Sequence, residues 1–197
     1  MLLPVVLAGF IGAGIGHAVA GPSGTEAAVN EIRVAEARRD AEQIVELTRL
    51  ARTTRDELGP LLSELEAAVA TGRAAPADRV ANWQQTMRRA AERHAASPSG
   101  TTSTNVARGG FRAAVDSLAV AVDSYAAAGA LPAANQRAIV DLVARHRTVA
   151  VTTWSIAAAQ LDQINIDSGN GHQHVYLETK PGSGGFTADG APEGSAK

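Results

Sequence analysis

From Val34 to Ala68 the apolar residues step by three and four: Val34, Ala37, Ala41, Ile44, Leu47, Ala51, Thr54, Leu58, Leu61, Leu65 and Ala68. At 3.6 residues per turn these positions fall on one face of a helix roughly 50 Å long. A strand cannot use such a spacing, and a helix with one apolar seam has to pack that seam against other helices. The fold class that follows is all-α. Ser23 with Glu26 three residues later is a capping box and marks the start of this helix. Gly59-Pro60 interrupts it, and because the stepping stays in phase across the pair, a kink or a tight restart is expected, with both arms facing the same partner. Gly72 followed by Pro76 ends the element.

Three further helices follow from the same reasoning. Val80, Trp83, Met87, Ala90 and His94 share one face of a helix from about Asp78 to Ala96, which stops at a polar loop beginning Ser97-Pro98-Ser99-Gly100. Phe111, Val115, Leu118, Val122 and Tyr125 form the stripe of a third helix, closed by Gly129, with Arg112 and Asp116 as an i,i+4 pair outside it. The fourth runs from about Pro132 to Ile166 and carries two adjacent stripes. One is Ile139, Leu142, His146, Val149, Thr153 and Ile156; the other is Val140, Val143, Arg147, Ala150, Trp154, Ala157, Leu161 and Ile164. So wide an apolar arc predicts burial on more than one side. Trp83, Phe111 and Trp154 are the expected core anchors.

The expected organisation is an antiparallel bundle of about four helices over residues 23–167, an apolar segment over 1–22, an extended segment over 168–180, and a disordered Gly/Pro/Ser/Ala tail over 181–197. His172-Gln173-His174-Val175 begins a stretch that alternates enough for a strand but has no sheet to join, so extended coil docked on the bundle is expected.

Residues 2–24 hold no Asp, Glu, Lys or Arg. Two fates fit them. Ala18-Val19-Ala20 before Gly21 has the small-x-small form of a signal cleavage site, although no basic residue precedes Arg33. Alternatively, about 20 apolar residues just cross a bilayer core of about 30 Å, and Ala8, Gly12, Gly16 and Ala20, each four apart, would line a helix-packing face. Arg33, Arg38 and Arg39 would hold the following side in the cytoplasm by the positive-inside rule, whereas export places it outside. The reading adopted is a cell-membrane protein with an extracytoplasmic body, or a secreted one if cleaved at Ala20.

Composition narrows the function classes. Eighteen basic against 20 acidic residues leave no basic field for nucleic acid. With no cysteine, disulfides, thiol nucleophiles, thiolate metal sites and a lipid-bearing cysteine are excluded. No serine sits in a nucleophile elbow, no Gly-rich phosphate loop follows a strand, and no Glu-x-x-His occurs, so an enzyme is not expected and no cofactor is implied.

Two clusters nonetheless carry chemistry. His172 and His174 lie two apart, which on an extended segment points both side chains the same way; Glu178 or Asp167 would complete a metal set. Arg145, His146 and Arg147, with Thr153 and Gln160 further along the helix, suggest a pocket for an anionic or other small ligand between helices. The function that follows is a non-enzymatic, envelope-associated helical protein, anchored by its N-terminal helix over residues 2–21, that acts by contact with other proteins, membrane helices or further copies of itself among them, or as a structural or accessory subunit. A ligand-binding bundle is the alternative.

Overall fold

The computed structural model describes residues 24–72, 74–177 and 183–186. Residues 2–21, with Ala8, Gly12, Gly16 and Ala20, lie outside them, as does Glu178. Among the described residues there are four helices and no strand: α1 (Gly24–Thr71), α2 (Ala77–His94), α3 (Thr102–Ala128) and α4 (Ala133–Asp167). No described helix is long and apolar enough to cross a membrane. The chain divides into two compact units, residues 1–39 and 40–197.

In the second unit, successive helices run in opposite directions, because residue numbers fall along one helix as they rise along its neighbour in every contacting pair. Thr54 meets His94 and Glu64 meets Trp83 across α1 and α2. Trp83 meets Tyr125 and His94 meets Phe111 across α2 and α3. Phe111 meets Trp154 and Ser117 meets His146 across α3 and α4, and Thr48 meets Asn165 while Glu66 meets Arg147 to close α4 onto α1.

The seam of α1 is buried from Ile44 to Leu65. The helix passes through Gly59-Pro60 with no restart, and Leu58 and Leu61 on either side are both in the core, so the two arms do face one partner. Pro60 has no N–H to donate to the Asp56 carbonyl, but both residues are exposed, where water can replace the missing donor.

All three expected anchors are buried, and Trp154 and Phe111 are the bulkiest fully enclosed side chains. Their rings meet edge-on at 4.6 Å between centroids. Gly110 lets α3 and α4 approach at this level, since a Cβ there would come within 2.8 Å of the Ala157 Cβ. α3 starts earlier than the polar run after Ser97 suggested. Thr101 caps it by accepting from the Thr104 N–H, and Asp40 of α1 accepts from the Thr101 N–H at 3.0 Å, so hydroxyl-rich sequence is used as a cap and not as loop.

α4 departs from its expected double burial. The stripe through Val143, Arg147, Ala150, Trp154, Ala157, Leu161 and Ile164 is in the core, but Val149 is 55% and Ile156 58% exposed. In a ring of four helices each one meets its neighbours over a single arc. A separate arc of α4, through Thr152 and Ser155, is met by the C-terminal chain: Thr152 Oγ1 donates to the Gly184 carbonyl, and the Phe186 N–H donates to Ser155 Oγ. Residues 183–186 of the expected disordered tail therefore lie against α4, and Ser183 is buried.

Candidate functional site

α4 ends in a reversal. The Asn170 N–H donates to the Asn165 carbonyl and the Ser168 N–H to that of Ile164. Gly169 and Gly171 take φ of 79° and 69°, a region where side chains are strained. The turn is tied to α1 as well, because Asn165 Nδ2 donates to Thr48 Oγ1 at 3.0 Å and Asn170 Nδ2 to Asn165 Oδ1. The chain is thus sent back along α4 as an extended strap, residues 171–177.

The strap lies between α1 and α4. Arg52 of α1 donates to the Gln173 side chain, Arg55 donates to the His174 carbonyl at 2.9 Å, and from α4 the Trp154 indole donates to the Val175 carbonyl at 2.6 Å. Val175 is fully buried.

Asp162 is the residue around which the strap closes. The residue is 2% exposed, and its carboxylate accepts from His172 Nδ1–H at 2.9 Å through Oδ2 and from the Gln173 N–H through Oδ1. A carboxylate only accepts, which assigns the proton to His172 Nδ1. His174 Nε2 stands 4.0 Å from the same Oδ2, and the ligand atoms of Asp162, His172 and His174 all lie within 4.8 Å of one another. The His172 and His174 rings lie side by side, with centroids 5.7 Å apart. Asp167, named as one possible third ligand, is exposed and accepts from Gln163, whereas Asp162, not singled out from the sequence, occupies that place. The available signal is a carboxylate at position 162 beside Leu161 and Ile164, on the side of α4 that also carries the buried Ser155 and Asn165.

Arg145, His146, Arg147 and Thr153 are spread around α4. Arg145 is exposed, His146 and Thr153 are half-buried, and Arg147 points inward to pair with Glu66 at 3.0 Å. Three consecutive helical residues point about 100° apart and cannot line one pocket wall together.

Two clefts lie elsewhere. One of about 420 Å³ opens between the ends of the helices and is lined by Ala68, Ala75, Val80, Tyr125 and Val140 among others. The other, about 260 Å³, is lined by Ser97, Pro98, Asn105, Arg108 and Arg112. Arg108 is buried, and its guanidinium donates to oxygens of Gln43, Pro98 and Asn105. Burial draws its pKa below the ordinary arginine value, and the charge of Asp40 opposes that shift.

Neither a family model nor a curated protein nor a solved structure matches this chain.

Proposed function

We propose that this is a non-enzymatic, envelope-associated protein that works by helix-to-helix contact with other proteins, anchored by residues 2–21. The observation that carries the reading is the seam of α1. Its stripe is core from Ile44 onward, yet the same phase continues toward the N-terminus through Ala41, Ala37 and Val34, all exposed, with Val34 at 61%. Ile32 nearby is 59% exposed. A stripe in heptad-like register that finds no cover among the described residues is what a partner helix would bury.

The test is photo-crosslinking from position 34 in membranes of the native host, with position 137 on the exposed face of α4 as control. A discrete protein adduct from position 34, lost in Ile32→Ser/Ala37→Ser and absent from position 137, is expected. Equal labelling from both positions, or an intact chain found wholly in the soluble fraction, would overturn the reading.

A second reading, a bundle that carries a small apolar ligand, is favoured by the cleft beside Tyr125, whose walls are mostly Ala and Val. Ala68→Trp would fill that cleft. Mass spectrometry of solvent extracts should then show a ligand with the wild-type chain and none with the variant.

A further inference from the structure

We propose that Asp162, His172 and His174 bind a divalent first-row transition ion, with Zn²⁺ as the fitting representative, and that the ion locks the strap to α4. This goes beyond the contact function above and stands separately from it.

The donor set selects the metal class. Two imidazoles and one carboxylate are the nitrogen and oxygen ligands that suit Zn²⁺, Co²⁺ or Ni²⁺, whereas Ca²⁺ and Mg²⁺ take oxygen-only shells. The spacing agrees. Ligand atoms about 2.0–2.2 Å from a tetrahedral ion stand roughly 3.4 Å from each other. Here Asp162 Oδ2 is 2.9 Å from His172 Nδ1 and 4.0 Å from His174 Nε2, values on either side of that separation. All three ligand atoms lie within 4.8 Å of one another, so reaching that separation takes shifts on the order of an ångström shared between the side chains. For His172 to coordinate through Nδ1, the ring passes to its Nε2–H tautomer, and the hydrogen bond to Asp162 is replaced by bonds from both groups to the ion.

The surroundings hold the ligands as a metal site needs. The Gln173 N–H takes Oδ1 of Asp162 and so turns Oδ2 toward the two imidazoles. Arg55 on the His174 carbonyl and Arg52 on the Gln173 side chain fix the strap backbone from α1. The His172 side chain is 1% and that of Asp162 4% exposed, but that of His174 is 26% exposed. His174 thus gives an ion a path in and leaves a fourth position for water. Because the ligands come from two segments joined by a turn, binding would act as a cross-link formed only in the folded chain.

The experiment uses the untagged full-length chain, stripped with a chelator and titrated with Zn²⁺ and with Co²⁺. One ion per chain is expected, with the visible ligand-field band of tetrahedral Co²⁺ and a Tm raised by roughly 5–10 °C when zinc exceeds its Kd a hundredfold. His174→Ala keeps the hydrogen bond between Asp162 and His172, so it should fold, as read by circular dichroism, yet bind at least about tenfold more weakly and lose the band. His146→Ala should leave binding unchanged. A folded wild-type chain that takes up no stoichiometric ion, or a folded His174→Ala that binds as well as wild type, would reduce the cluster to a structural clasp and overturn the proposal. The wild-type titration decides the matter by itself if His174→Ala does not fold.

Discussion

Two histidines in this protein are equally hidden, His94 and His172 each being 1% exposed, and their surroundings differ in kind. His94 ends α2 inside an aromatic nest, 6.2 Å from the Trp154 ring and 6.4 Å from Phe111, with Thr54 Oγ1 at 3.0 Å from Nε2 and no partner at Nδ1 among the described residues. His172 lies on the strap with a buried carboxylate against its Nδ1. The first is a neutral ring used as packing. The second belongs to a polar cluster that holds two chain segments together. Burial alone therefore does not mark a functional histidine; the charge of the group facing it separates the two cases.

Trp154 joins the two regions, since its ring packs on His94 and Phe111 while its indole N–H holds the strap at Val175. Trp154→Ala should have the largest effect, a loss of about 3–5 kcal/mol by denaturant titration, because it opens a cavity and leaves a buried carbonyl unpaired. Hydrogen exchange in residues 172–177 should rise together with exchange near His94. If only one region loosens, Trp154 is not the bridge.

Next in size is a pH effect that belongs to His94. Burial, and after it the charge of Arg93, lower its pKa from 6.5 to about 4, with Asp116 opposing. Well above its ordinary pKa the ring is neutral in both folded and unfolded chains and contributes nothing to the pH slope. Between about 6.5 and 4 the unfolded chain takes up a proton that the folded one refuses, so stability falls as pH falls, by about 3 kcal/mol in all. The measurement is the unfolding free energy of wild type minus that of His94→Gln across this window. A flat difference would mean that the nest accommodates a charged ring and that the contrast with His172 is false.

Asp162→Asn attacks the other region. One amide oxygen would then serve both His172 Nδ1–H and the Gln173 N–H, and the amide NH₂ would face a donor. A loss of about 2–3 kcal/mol is expected, with protease cleavage appearing first in the strap. Cleavage appearing first in the loop between α2 and α3 would show that Asp162 supports the bundle at large.

How legible each region is from the sequence follows from the physics of its contacts. The nest is readable because helical periodicity is local: Trp83, Met87, Ala90 and His94 announce one face, and Phe111 and Trp154 stand on apolar stripes of their own. Helix ends are equally open, with Gly129 and Pro132 marking the turn between α3 and α4. The strap cluster is half readable. The alternation of His172 and His174 is a local property, but their carboxylate is set by the reversal at Gly169 and Gly171, which brings the strap back onto the helix ten residues earlier and selects Asp162 over the nearer Asp167. The exposure of Val149 and Ile156 on the second α4 stripe has no local signal, since both are as apolar as the core and only the number of neighbouring elements decides which side is covered.

The finest test of the comparison is whether the two regions know of each other apart from Trp154. Thr54→Val removes the hydrogen bond to the His94 ring at constant shape. That loss should cost about 1–2 kcal/mol. Thr54 and Asp162 have no hydrogen-bond partner in common, the first serving His94 and the second His172 and Gln173. In a double-mutant cycle of Thr54→Val with Asp162→Asn the coupling should therefore stay within about 0.5 kcal/mol. Coupling above about 1 kcal/mol would mean that a shift of His94 is transmitted through the Trp154 ring to the Val175 carbonyl, and so to the strap. The strap would then report the state of the core, and any occupant of its Asp-His-His cluster would be felt by the whole bundle.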